Sequence, residues 1–296
     1  MSRASWQFDE GAAIADRRFA LKPLGGGTRF EVYLVWDEDM YALGVAKVLR
    51  PDQAEDERAL RELGEEAEVL GRIAHPVIVR GFDAVLDGPH PHILIEHLEG
   101  PSLRRLIRRG GALEVQQLLP LALHVAGALA YLERRQLVHL DVKPDNIIMG
   151  VPPRLIDLSI ARTLERAARS VGPLGTDAYM APEQCGAGPE LGEMGSPSDV
   201  WGLGATLHHC VSGARPFPRQ PEARESDDPR IRFPQLEADP PALPGHVPPG
   251  LGDLIESMLE RSPEARPTAD EVVGGLQPLV AAQPRKLTMS RRGRVG

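Results

Sequence analysis

The sequence predicts an α+β chain in two lobes, a small antiparallel β-sheet lobe with one helix followed by a larger, mainly helical lobe. Apolar alternation of period two, broken by glycine turns, runs from Phe19 to about Leu98 with a single stretch of helical period inside it. From Ser102 the apolar spacing is mainly helical. The stretch from Val138 to Ser159, VHLDVKPDNIIMGVPPRLIDLS, places an acid, a base and an amide on one short loop and returns through Arg154-Leu155-Ile156 to a second isolated acid, Asp157.

Residues 1–17 read as a loosely held extension, and the first lobe as 18–98. Its opening strand, Phe19 to Leu24, meets Gly25-Gly26-Gly27-Thr28-Arg29 and returns through Glu31 to Trp36, with Val32, Leu34 and Trp36 on one face. Glycine lets a backbone approach phosphates without a clashing Cβ. Rossmann and Walker loops run from a strand into a helix, whereas this one runs into an alternating strand and lacks a Gly-Lys-Ser/Thr ending. It is therefore a hairpin loop.

The strand from Tyr41 to Leu49 carries Lys47 alone among apolar neighbours, which points it into a cleft. A helix over about 54–74 follows, with a stripe of Leu60, Leu63, Ala67, Leu70 and Ile73, and Glu66 beside the stripe. His75-Pro76 ends it. Strands from Ile78 to Val85 and from His92 to His97 complete a lobe too small to be robust alone.

The second lobe, 99–282, reads as helices Leu103 to Arg109, Val115 to Arg134, Ser198 to Val211 and Leu251 to Glu260, with a last helix opened by a Thr268/Glu271 capping box. A Pro-rich, charged loop from Pro218 to Gly250 is expected to hold little regular structure, and the basic tail 283–296 to be disordered.

Composition narrows the function. Lys plus Arg at 34 against Asp plus Glu at 42 gives a net charge of −8, which argues against a general nucleic-acid binder. Cys185 and Cys210, without metal-type spacing, read as free thiols in a reducing compartment. The N-terminus lacks an apolar signal core, and the run from Leu118 to Leu132 is shorter than the roughly 20 residues a bilayer demands, so a cytoplasmic chain without a membrane anchor is expected.

His139-Leu140-Asp141-Val142-Lys143-Pro144-Asp145-Asn146 resembles the catalytic loop H-R-D-x-K-x-x-N of the eukaryotic-type serine/threonine protein kinases. Asp157-Leu158-Ser159 resembles their D-F-G motif, and Ala181-Pro182-Glu183 matches their A-P-E segment in full. The resemblance covers Phe19 to Leu279 and implies a bilobal protein kinase fold using ATP with magnesium or manganese. It implies Asp141 as base, Lys143 as a neutraliser of phosphoryl charge, and Asn146 and Asp157 as metal ligands. ATP would be held by Leu24, Gly25, Gly26, Gly27, Val32 and Val45 above and Ile148 below, by Lys47 oriented by Glu66, and by the backbone of Glu96 and Leu98. Asp199 takes the family position that braces the catalytic loop, and Arg266 the one that pairs with Glu183.

Lys143-Pro144 and Thr176 favour serine or threonine as acceptor, and the A-P-E segment favours a protein substrate over a small molecule. A nucleotide-binding pseudokinase scaffold is the alternative, motivated by departures from the pattern; a small-molecule phosphotransferase is the weaker one. Phe30 replaces the third loop glycine and should stiffen the loop. Leu140 replaces the arginine that pairs with a phosphorylated activation loop, so activity is expected not to depend on phosphate at Thr163 or Ser170. Ser159 replaces a glycine and should restrict that turn, since serine tolerates positive φ poorly. Thr288 and Ser290 are candidate autophosphorylation sites, and the arginine-rich composition resembles bacterial kinases of high-GC genomes. Oligomeric state is not set by any of these features.

Overall fold

The computed structural model describes residues 4–186, 188–218, 223 and 226–283. Its first lobe is a six-stranded antiparallel sheet in the order β1-β2-β3-β4-β6-β5. The strands are β1 (Ala13–Ala15), β2 (Arg18–Gly26), β3 (Phe30–Asp37), β4 (Ala42–Leu49), β5 (Gly81–Val85) and β6 (His92–Glu96), with α1 (Glu57–Arg72) between β4 and β5. The β3–β4 hairpin pairs without interruption from Phe30↔Leu49 to Asp37↔Ala42. Strict alternation then puts Val32, Val45 and Lys47 on one face and Tyr33, Val35, Ala46 and Val48 on the other.

That second face forms a small core with Ile14, Ala20 and Leu94, and Trp6 and Phe8 pack against it. The segment expected to be loose is thus docked: Trp6 Nε1 donates to Leu49 O at 2.7 Å, and both rings meet His90 edge-on at 4.6 and 4.9 Å. Buried Arg18 ties the sheet together, donating to Asp37 and Asp83 at 2.9 Å each and to His92 Nε2 at 2.5 Å.

Asp56 caps α1 by accepting from Ala59 N at 2.7 Å, which starts the helix three residues later than the apolar spacing suggests. The strand expected from Ile78 is shorter because its first residues turn to the other lobe. Val79 N donates to Leu155 O at 2.9 Å and Leu155 N to Val77 O at 2.6 Å. The main hydrophobic core is accordingly continuous from Leu49, Leu63 and Leu70 into the second lobe.

The second lobe contains α2 (Leu103–Gly110), α3 (Val115–Arg134), α4 (Leu164–Ala168), α5 (Ser196–Ser212), α6 (Pro229–Arg232), α7 (Pro249–Met258) and α8 (Ala269–Ala281). Short strands β7 (Leu137–Val138), β8 (Ile147–Ile148), β9 (Arg154–Leu155) and β10 (Arg162–Thr163) lie between α3 and α4. α3 is long and apolar enough to cross a membrane, and here it is the central core helix, packed on α5 and α8. The capping box of α8 forms as expected: Thr268 N donates to Glu271 Oε2 at 2.7 Å and Glu271 N to Thr268 Oγ1 at 3.2 Å.

Among the described residues of the Pro-rich stretch, from 226 on, buried Phe233 and Gln235 anchor short turns of helix against the rest of the lobe. Gln235 Nε2 donates to Asp177 O at 2.7 Å and to Met180 O at 3.0 Å. Both cysteines are free and buried, and burial pushes their thiols up. The basic tail from 284, with Thr288 and Ser290, lies outside the described residues.

Candidate active site

The loop between β7 and β8 is fixed from below by α5. Buried Asp199, in the first turn of that helix, accepts from His139 N and Leu140 N at 2.7 Å each. This clamp holds Leu140 in the left-handed region at φ 63°, a conformation a leucine adopts only when its surroundings over-determine it. Asp141 then projects with both carboxylate oxygens engaged. Its Oδ1 accepts from Thr176 Oγ1 at 2.7 Å, and its Oδ2 from Lys143 Nζ at 2.5 Å and Asn146 Nδ2 at 3.0 Å. Lys143 also donates to Thr176 Oγ1 at 2.6 Å.

A second charged group faces the first. Lys47 Nζ donates to Glu66 Oε1 and Oε2 at 2.9 and 2.8 Å and to Asp157 Oδ1 at 3.0 Å, joining β4, α1 and the turn after β9. Burial alone would pull the Lys47 ammonium down, but Glu66 and Asp157 outweigh it and hold it charged. The one cation does not serve both acids equally. Glu66 is pushed up by its burial and by the neighbouring Asp157, whereas Asp157, against its own desolvation, is held well below the usual carboxylate range by Lys47.

The turn at Asp157 differs from expectation. The left-handed residue is Asp157 itself, at φ 64°, and Ser159 needs no positive φ. The Ser159 side chain instead helps to hold the Asp157 carboxyl low. Serine here supports the acid rather than straining the turn.

The glycine loop divides its demands unequally. Gly25 and Gly26 sit at φ 145° and 154°, and a Cβ on Gly26 would lie 2.5 Å from Phe30 O. Gly27 has open space around it and closes the turn by donating from its N to Phe30 O at 2.9 Å. The Phe30 ring turns inward, 4.6 Å from Lys47 Nζ, so it packs under the loop and over the ammonium. Val45 is buried, Val32 and Ile148 are half-buried, and Leu24 is exposed at the loop's base. Leu98 packs against the main core. The Glu96 carboxylate is committed to Arg154 and its N–H to Arg80 O at 2.9 Å.

Asn146 and Asp157 fit a hard cation of low protein-ligand count. Both Asn146 donor bonds go to Asp141, to its O and its Oδ2 at 3.0 Å each, which leaves the amide oxygen as the acceptor. No cluster of three or more His, Cys, Asp or Glu forms a metal cage among the described residues. Two oxygen ligands completed by phosphate and water suit magnesium better than a closed site.

Several partners were not visible in the chain order. Gln184 Nε2 donates to Leu140 O at 2.9 Å and Leu174 O at 2.7 Å, stitching the catalytic loop to the segment after Thr176. Leu140 itself packs with Val138, Ala167 and Met194. Ion pairs Arg29–Glu62 and Arg166–Glu65 fasten the glycine loop and α4 to α1. Glu183 and Arg266 meet as expected, in a fully buried bidentate pair at 2.7 and 2.8 Å, with Ser198 Oγ donating to the same Glu183 at 2.7 Å.

Comparison with known proteins places the chain among relatives of similar sequence. The chain is 33% identical over 238 residues to the serine/threonine-protein kinase PkaA of Streptomyces coelicolor, covering 78% of this chain and 42% of that one. It is 31% identical over 273 residues to PknL of Mycobacterium tuberculosis, 89% of this chain and 65% of that one, and 31% over 280 residues to pkn2 of Myxococcus xanthus, 89% and 32%. The chain thus spans less than two thirds of the length of each of these relatives. The family model for the protein kinase domain matches residues 20–275, and the chain belongs to that family.

Proposed function

We propose that this chain is an active protein kinase, transferring the γ-phosphate of ATP to serine or threonine on protein substrates. The observation that carries the reading is the closed Lys47–Glu66–Asp157 group, with Lys47 Nζ 2.8 Å from Glu66 and 3.0 Å from Asp157, facing an Asp141 already held by Lys143 and Asn146. These contacts among the charged groups support an active enzyme over a scaffold. In the proposed step the acceptor oxygen bonds to the γ-phosphorus, the bond to the β–γ bridging oxygen breaks, ADP leaves, and the hydroxyl proton passes to Asp141.

Lys47 orients the α- and β-phosphates, Lys143 balances charge on the moving group, and Asn146 and Asp157 are the residues to hold magnesium. That cation would neutralise charge across the β- and γ-phosphates. The Thr176 hydroxyl, 2.7 Å from Asp141 Oδ1, supports an aliphatic acceptor, since that oxygen already receives an alcohol proton. The names of the relatives, all serine/threonine-protein kinases, support the same acceptor class. The net charge of −8 supports a protein rather than a nucleic-acid partner.

The test is transfer from labelled ATP, with magnesium or manganese, to the chain itself and to a generic basic protein, comparing wild type with Asp141→Asn. Label in the wild type alone is expected. Bound ATP with no label in either protein would replace this reading with a nucleotide-binding scaffold.

A further inference from the structure

The helix α2, Leu-Arg-Arg-Leu-Ile-Arg-Arg-Gly, contains four arginines and no acid. Leu103 and Ile107 bury its apolar side, while Arg105, Arg108 and Arg109 are exposed and Arg104 is half-buried. None of the four has a carboxylate partner among the described residues. In α1, by contrast, Arg58 pairs with Glu62 at 3.0 Å and Arg61 with Glu57 at 3.8 Å.

Half of the charge arrangement works against the helix that carries it. Arg104 and Arg105 stand in the first turn, where the helix dipole disfavours cations. Arg104 with Arg108 and Arg105 with Arg109 are like-charge pairs at i,i+4, which repel. Arg108 and Arg109 in the last turn suit the dipole, but the first-turn pair and the i,i+4 repulsions do not, and a chain of net charge −8 has no general excess of cations to distribute. An anionic partner would relieve both penalties.

Its place in the fold says which partner. α2 packs against the turn Pro144–Asn146 of the catalytic loop, and Ser102 bridges to Ile148. Its far end is tied to α5 by Leu113 N donating to Cys210 O at 2.7 Å, and exposed Arg215 follows directly after that helix. Arg104 and Arg215 both reach the field of His209, which hydrogen-bonds Tyr179 at 2.6 Å in the segment following Thr176. The patch therefore borders both the catalytic loop and the segment where an acceptor peptide would lie.

We infer that Arg104, Arg105, Arg108, Arg109 and Arg215 form a docking surface for an acidic stretch of the protein substrate beside its phosphorylated serine or threonine. The inference rests on the kinase reading for its substrate but not for its binding. The test is fluorescence anisotropy of the intact chain with labelled serine peptides that carry three glutamates before the serine, three after it, or three glutamines in either place. At least one acidic peptide is expected to bind about tenfold more tightly than its neutral counterpart, the sum of several exposed charge pairs.

That advantage should shrink between ~50 and ~500 mM salt and vanish in the triple variant R105E/R108E/R109E, whose exposed positions leave the core untouched. Equal affinity for acidic and neutral peptides, or a preference that survives the reversal, overturns the docking surface. A peptide that is bound through the patch but never phosphorylated by the wild type supports the surface and counts against the kinase reading alone.

Discussion

Glu183 and Arg266 are separated by 83 residues, yet both side chains are fully excluded from solvent and joined by two hydrogen bonds. Arg266 also donates to the carbonyls of Glu260, Pro197 and Arg261 at 2.7 to 3.0 Å and stacks over Trp201 at 5.0 Å, so one guanidinium joins the Glu183 segment, the start of α5 and the turn at 260–261. A buried pair of this kind is weak evidence for net stability, but breaking it is costly because the remaining charge has no water. Arg266→Ala is expected to lower unfolding free energy by about 3–5 kcal/mol in urea titration, and adding Glu183→Gln should restore part of it. A loss below ~1 kcal/mol would mean that water reaches Glu183. This contact was legible in the sequence only through the family pattern. Gln184, one position on, has no such signal, because its partners Leu140 and Leu174 are set by a loop crossing that leaves no local periodicity.

Two elements act on the site without belonging to it. The N-terminal segment is bolted to the glycine loop through Arg50, which donates to Ala4 O at 3.0 Å, to Glu31 Oε1 at 2.8 Å and to Gly27 O at 2.9 Å. With Trp6 bonded to Leu49 O, the segment fixes the end of β4 and, through it, the loop over the cleft. Arg50→Ala is expected to raise KM for ATP about fivefold, the worth of about one hydrogen bond, while kcat changes less than about twofold. An unchanged KM would show that the loop holds its own shape. The activation segment is the second such element. Leu140 sits in an apolar cluster that includes Ala167 of α4, Thr163 Oγ1 caps α4 at 3.3 Å, and Ser170 Oγ accepts from Arg162 at 3.0 Å. These contacts hold the segment in place by packing and capping, so the variant T163A/S170A should keep activity within about threefold while losing about 1 kcal/mol of local helix stability. A folded variant that loses more than about thirtyfold activity overturns this. The helices themselves were legible from spacing and caps, whereas the docked N-terminus was not, since two aromatic residues in a polar stretch give no period to read.

At the scale of the whole molecule, composition and periodicity disclosed two lobes but not what unites them. Val79 and Leu155 join the lobes through backbone bonds, and Glu96 with Arg154 joins the end of β6 to the strand before Asp157; neither pairing has a sequence signature. Burial also determines how stability responds to acid. His209, buried beside Tyr179, is lowered to about 4 by desolvation and then by Arg104, Arg215 and His208. His92 is lowered too, chiefly by desolvation, with Nδ1 bonded to His90 O at 2.7 Å and Nε2 accepting from Arg18. In the unfolded chain each takes a proton near its ordinary value of about 6.5. The unfolded state therefore binds more protons between that value and about 4, and stability must fall as pH falls through this window. Asp157, held low by Lys47, adds a loss of the same sign only below about pH 4. Glu66 and Asp199, raised by burial, oppose it, so the wild-type curve alone does not isolate the histidine. The comparison with His209→Gln does. After allowance for residual solvent screening, the variant is expected to lose about 1–2 kcal/mol less than wild type between pH 7 and pH 4.5 in urea unfolding. Parallel curves would mean that His209 can take its proton in the folded protein, and that the Tyr179 contact yields before the fold does.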